Sequence, residues 1–129
     1  MNEPILVVDD DDTQRNVTAL QAKRLGFIPL MASNGEVALA LMSKTKVRLV
    51  LMDVQMPILD GLETSRAIRA LEHQNKTTRI PIIAMTANPD EEQCYKAGMD
   101  DFLFKPVLLN DLKNVLRRWL TPEPEKDLA

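Results

Sequence analysis

Val47-Arg48-Leu49-Val50-Leu51-Met52-Asp53 is an almost unbroken apolar run that stops on a carboxylate. Residues 49–52 alternate nothing: every position is apolar, so neither face of the segment suits water. A strand of that kind is covered on both sides, which is the situation of a central strand in a parallel sheet with helices on both faces. Ile80 to Met85 has the same character and ends on Thr86. Two buried strands, each ending on a polar residue, set the frame for the rest of the chain.

Working outward, Ile5-Leu6-Val7-Val8 is a β-branched run followed by four aspartates, Asp9 to Asp12. A helix is predicted from about Thr13 to Leu25, with Asp12 or Thr13 as its cap and Gly26 as its stop. Phe27 to Ala32 reads as a strand, placed at a sheet edge by Pro29. Ser33 and Glu36 have capping-box spacing and open a helix at Val37 to Met42. Beyond Asp53, a loop runs from Val54 to Gly61. Thr64, Ala67, Ile68 and Leu71 recur at i, i+3, i+4, i+7, marking a helix with one buried stripe. Glu72 to Thr78 reads as a polar loop holding His73. Asn88 is the expected cap of the next helix, with Pro89 at its first position and Asp90-Glu91-Glu92 at the positive end of its dipole. Gly98 closes that helix. Phe102-Leu103-Phe104 is a fifth strand ending at Lys105-Pro106. Asn110 is expected to cap a last helix whose apolar stripe is Leu112, Val115, Leu116, Trp119 and Leu120.

Strand and helix therefore alternate five times, which predicts an α/β fold: a doubly wound five-stranded parallel sheet with helices on both faces. Residues 1–120 form one domain on this reading, and 121–129, rich in Pro and Glu, a flexible tail or linker. The size fits, since 129 residues with 45% hydrophobic content suffice for one core. The single cysteine, Cys94, excludes an intramolecular disulfide and suits a reducing, cytoplasmic setting. A net charge of −3 and 4% aromatics argue against a nucleic-acid surface. No apolar run is long enough to span a membrane. The one histidine, His73, cannot build a metal cluster or a His-based triad.

Ligands of open α/β sheets sit beyond the carboxyl ends of the strands. The strand ends here carry Asp9-Asp10, Asp53, Thr86 and Lys105. Carboxylates gathered from two strands repel unless neutralised, and Mg²⁺ is bound by one or two carboxylates plus waters and phosphate oxygens. An aspartate beside such an ion can act as a nucleophile and form an aspartyl-phosphate. Lys105 suits a point-charge phosphate contact, and Thr86 can donate a hydroxyl hydrogen bond.

Taken together, Ile5 to Asp10, Leu51 to Pro57 with Asp60-Gly61, Ile82 to Ala87, and Phe104-Lys105-Pro106 resemble the receiver domain of two-component response regulators, over roughly residues 4 to 120. The resemblance implies the flavodoxin-like strand order 2-1-3-4-5. It implies Asp53 as the phospho-acceptor, Asp10 as a direct Mg²⁺ ligand with Asp9 assisting, and the backbone carbonyl of Gln55 as a further ligand. Lys105 would contact the phosphoryl group or pair with Asp53, Thr86 would bond the phosphoryl group and shift inward, and Phe102 would occupy the aromatic switch position. Gln55 and Asn88 would tune the phosphoryl lifetime. Gly98 to Phe102 and Arg117 to Leu120 look like receivers of hybrid sensor histidine kinases and phosphorelays. The implied partners are a sensor histidine kinase and a histidine phosphotransfer domain, with the receiver a monomer at rest that can dimerise on phosphorylation. It is a signalling domain, catalysing only its own phosphorylation and dephosphorylation. A haloacid-dehalogenase-like phosphatase would need a second aspartate two residues after the nucleophile, where Gln55 stands. A pseudo-receiver would keep the fold but not the set Asp10, Asp53, Thr86 and Lys105.

Overall fold

The structure is a computed structural model that describes residues 3–56, 59–88 and 90–120. Its order is β1 (Ile5–Val8), α1 (Asp12–Arg24), β2 (Pro29–Ala32), α2 (Gly35–Met42), β3 (Leu49–Asp53), α3 (Gly61–Asn75), β4 (Ile82–Thr86), α4 (Glu91–Lys96), β5 (Asp101–Phe104) and α5 (Leu109–Leu120). The five strands form one all-parallel sheet in the order β2-β1-β3-β4-β5, as the alternation and the resemblance required. The tail from 121 to 129, together with Pro57 and Pro89, lies outside the described residues.

Strand periodicity splits the core in two. Leu6, Val8, Val50, Met52, Ile82 and Ala84 point to one face, against Ala38 of α2, Ile68 of α3 and Cys94 of α4. Ile5, Val7, Leu49, Leu51, Ile83, Met85 and Leu103 point to the other, against Leu112, Val115 and Leu116 of α5. The side chains of β1, β3 and β4 are buried on both faces. Each such Leu or Ile contributes about 1.5–3 kcal/mol of burial.

Several local expectations are corrected. The cap of α1 is Asp11, whose side chain accepts from the Gln14 N–H, not Asp12 or Thr13. Asn34 rather than Ser33 caps α2, accepting from the Val37 N–H. Asp90 rather than Asn88 caps α4, accepting from the Gln93 N–H. Asn110 lies inside α5, which begins at Leu109. β2 begins at Pro29, two residues later than expected, and β3 and β4 each begin two residues late. α3 runs on to Asn75, so Glu72 and His73 are helical and the polar loop is shorter; Lys76, left-handed at φ 56°, ends the helix. Leu71 is 45% exposed, and the buried residues of α3 are Gly61, Thr64, Ser65 and Ile68.

The extra turn of α3 has a cause. Arg69 donates to Glu72 at 2.7 Å, to Asp100 at 2.7 Å and to the Gly98 carbonyl at 2.9 Å. Glu72 in turn accepts from the Ile80 N–H at 2.8 Å, and Asp100 from the Ile82 N–H at 2.9 Å. These part-buried charges, each satisfied by charged or backbone partners, tie α3 to the starts of β4 and β5. Trp119, 37% exposed, leaves the apolar stripe of α5 to donate its Nε1–H to Asp101. Burial works against ionisation of that carboxyl, but Trp119, the Phe102 N–H and Arg118 together hold it below its usual range.

Candidate functional site

Parallel strands bring their carboxyl ends to one edge, so the polar residues that stop β1, β3, β4 and β5 meet there. Asp53 is the last residue of β3, continuing the face of Leu49 and Leu51, and is only 3% exposed. Asp9, just past β1, is 1% exposed and Asp10 is exposed. Carboxylate oxygens of Asp9, Asp10 and Asp53 lie within 4.8 Å of one another. Lys105, after β5, reaches across with its Nζ 3.0 Å from Asp53 Oδ1 and 3.4 Å from Asp9 Oδ2. The main chain supports that reach, since the Lys105 N–H donates to the Thr86 carbonyl at 3.0 Å. Thr86, buried, accepts the Asn88 N–H on its Oγ1 at 3.2 Å.

Three carboxylates against one ammonium leave two negative charges unmatched, which is the charge of one divalent cation. An all-oxygen set, two of its members buried, fits a hard ion such as Mg²⁺. Asp9, Asp10 and Asp53 are the side chains that could hold it. Without a metal, burial pushes the Asp53 carboxyl from 3.8 to about 7; the hydrogen bond from Lys105 opposes this, and the charge of Asp9 adds to it. Lys105 is the reciprocal case. Burial disfavours its charge, but Asp53 and Asp9 outweigh that and raise its pKa.

A raised carboxyl pKa means that the native metal-free protein binds a proton that the unfolded chain gives up near pH 3.8. The stabilisation from that proton is complete at low pH and is lost as the pH rises toward about 7. We expect thermal melts in a chelator to show Asp53→Asn gaining on the wild type by several degrees between about pH 5 and about pH 8. A difference independent of pH would contradict the raised pKa.

Beside the strand ends lies a cavity of about 620 Å³, lined by Gln55, Met56, Thr86, Asn88, Gln93 and Cys94 among others. Gln55, Thr86 and Asn88 thus share one opening, as residues placed around a common reacting centre would. Cys94, 2% exposed, borders it, and burial, with Asp90 and Glu91, pushes its thiol pKa up. Phe102 is half-buried and meets the Tyr95 ring edge-on, with centroids 5.2 Å apart. Sequence reasoning misses Arg15, whose Nη1 donates to the Asp9 carbonyl at 2.8 Å. Its place one helical turn after the cap, facing back toward the strand end, is the signal that could have found it. The Arg69–Asp100 pairing, 31 residues apart, has none.

Comparison with known proteins agrees with this geometry. The family model of the response regulator receiver domain matches residues 5–117. In sequence the chain is 40% identical over 116 residues to the hybrid signal transduction protein dokA of Dictyostelium discoideum, covering 90% of this chain and 7% of that protein. It is 37% identical to histidine kinase 5 of Arabidopsis thaliana, covering 90% of this chain and 15% of that one. The chain therefore corresponds to a small part of these relatives. Among solved structures, the receiver domain of sensor histidine kinase PA1611 from Pseudomonas aeruginosa, with a magnesium ion coordinated in its active site cleft, matches with a TM-score of 0.83 at 34% identity, over 95% of this chain and 100% of that one. The co-crystal structure of the Saccharomyces cerevisiae histidine phosphotransfer protein Ypd1 with the receiver domain of Ssk1 matches with a TM-score of 0.85 at 26% identity, over 92% of this chain and 90% of that one. With the sheet order, the acidic edge and a match over residues 5–117 all in agreement, the chain belongs to the response regulator receiver domain family.

Proposed function

We propose that Asp53 accepts a phosphoryl group from a phosphohistidine of a sensor histidine kinase or a histidine phosphotransfer protein. The observation that carries this reading is Lys105 spanning the Asp9 and Asp53 carboxylates at the strand ends. A bond forms from an Asp53 carboxylate oxygen to phosphorus while the bond from phosphorus to the imidazole nitrogen breaks. Asp9, Asp10, Asp53 and the Gln55 carbonyl would hold Mg²⁺, which would supply positive charge to keep Asp53 ionised and to offset the charge of the incoming phosphoryl group. Lys105 offers its ammonium to the developing charge, and Thr86 its hydroxyl. Asn88 and Gln55, which line the adjoining cavity, govern how readily water reaches the acyl phosphate.

The phosphoryl group then either passes to a histidine phosphotransfer partner or shifts the balance between two states of Thr86 and Phe102. Residues 1–120 act as the receiver, and 121–129 as its tail or linker. No described helix is long and apolar enough to cross a membrane, and the reading places the domain in the cytoplasm, a monomer at rest that can dimerise on phosphorylation. The test is intact mass after incubation with Mg²⁺ and acetyl phosphate. One added phosphoryl group, dependent on Mg²⁺ and released by hydroxylamine, is the expected result. No adduct, together with no binding of beryllofluoride, would make the domain a pseudo-receiver that signals by contact alone.

A further inference from the structure

Arg15 carries a full charge, yet its side chain is only 15% exposed. Its guanidinium forks. Nη1 donates to the backbone carbonyl of Asp9 at 2.8 Å, and Nη2 to the carboxylate of Asp12. Asp9 is the residue at which the β1 ladder runs out: its N–H still donates to the Ala32 carbonyl at 3.1 Å, but its carbonyl points away from the sheet's hydrogen bonding and onto Arg15. The Asp9 carboxylate is held separately, by the Asp11 N–H at 3.0 Å and by Lys105. That carbonyl belongs to the peptide that joins Asp9 to Asp10. Rotating the peptide would swing the exposed Asp10 away from Asp9 and Asp53.

We propose that Arg15 is a positioning residue for the divalent cation. It fixes the Asp9–Asp10 peptide so that the Asp10 carboxylate is presented to the same point as those of Asp9 and Asp53. Asp12 completes the device. A lone guanidinium at the rim of a cation site would repel the cation, and the carboxylate on its second nitrogen cancels that charge. The inference rests on the reading of the acidic cluster as a Mg²⁺ site.

The experiment is calorimetric titration of the full chain with Mg²⁺, with no phosphodonor present. Arg15→Gln is expected to weaken binding by about tenfold, the range seen when a group that orients a metal ligand is removed. The loss should persist at about 0.5 M salt, because it comes from geometry rather than long-range charge. Asp12→Asn keeps the hold on the Asp9 carbonyl but uncovers the guanidinium, so its smaller loss should fade in the same salt. At saturating Mg²⁺ the Arg15→Gln protein should recover most of its phosphorylation rate, which a general disruption of the fold would not permit. Unchanged or tighter Mg²⁺ binding by Arg15→Gln would overturn the proposal, since it would make Arg15 a spectator or an electrostatic opponent of the metal. Should Arg15→Gln not fold, Arg15→Met takes its place: it keeps the length and the packing of the stem but donates nothing to the Asp9 carbonyl, and wild-type affinity in it would be equally fatal. Failure of the wild type to bind Mg²⁺ at all would instead remove the reading of the site.

Discussion

Asp53→Asn takes up no phosphoryl group from acetyl phosphate and Mg²⁺, a loss of about a thousandfold or more in rate. The amide is nearly isosteric with the carboxylate, so the strand end and its packing survive. Its nitrogen lone pair is delocalised and its oxygen carries no full charge, so no nucleophile remains. The neighbours are poor substitutes. Asp9 is as buried as Asp53, and its carboxylate is already engaged by the Asp11 N–H and Lys105. Asp10 is exposed and its proposed work is on the metal. Intact mass is the readout. A stable adduct on the variant, mapped by peptide digestion to Asp9 or Asp10, would move the acceptor and with it the whole reading of the strand ends.

Gly61→Ala has the largest expected effect on the scaffold. A Cβ at Gly61 would stand 2.2 Å from the Asp53 carbonyl oxygen and 2.9 Å from the Val54 Cα. Both are backbone atoms, so no rotamer change relieves the clash. The glycine cannot easily retreat, because its N–H donates to the Val54 carbonyl at 2.9 Å and the helix start is locked by the Asp60–Glu63 capping box. The cost is about 3 kcal/mol or more, the upper end for added bulk in a packed site. Urea denaturation measures it. Because the nearest of the displaced atoms is the carbonyl oxygen of Asp53 itself, Mg²⁺ affinity and phosphorylation should fall in whatever fraction stays folded. A variant with wild-type stability would mean that the start of α3 slides freely along the end of β3.

The sequence made the sheet legible because β1, β3 and β4 are apolar on both faces, a pattern that suits a strand covered from both sides and little else. It also exposed the site, because four of the five strands stop on a residue that an apolar run has no reason to end with: Asp9, Asp53, Thr86, Lys105. What it blurred were the helix ends. Asp11, Asp12 and Thr13 can all cap, as can Ser33 and Asn34, or Asn88 and Asp90; which one does so is decided by how the chain leaves the strand, not by side-chain chemistry. Also hidden were contacts between distant residues. Arg69 finding Asp100, and Trp119 turning to Asp101, depend on how α3 and α5 lie against β5. The i, i+3, i+4 pattern admitted Leu71 to the buried stripe, but the inward position at that turn is taken by Glu72, which accepts from the Ile80 N–H, and Leu71 is left 45% exposed.

Cys94 gives the domain an internal stopwatch. It is the only thiol in the chain, carried on the buried side of α4, a helix of six residues that begins five residues after Thr86. Buried, with its thiol pKa pushed up, it is expected to react slowly with a thiol reagent while α4 is seated and faster whenever the helix lifts. The rate of labelling therefore counts those openings directly, in the native chain and without any introduced probe. Timed with and without a bound phosphate mimic, that one sulfur would report how far a change at Asp53 travels through Thr86 into the loosening or tightening of α4.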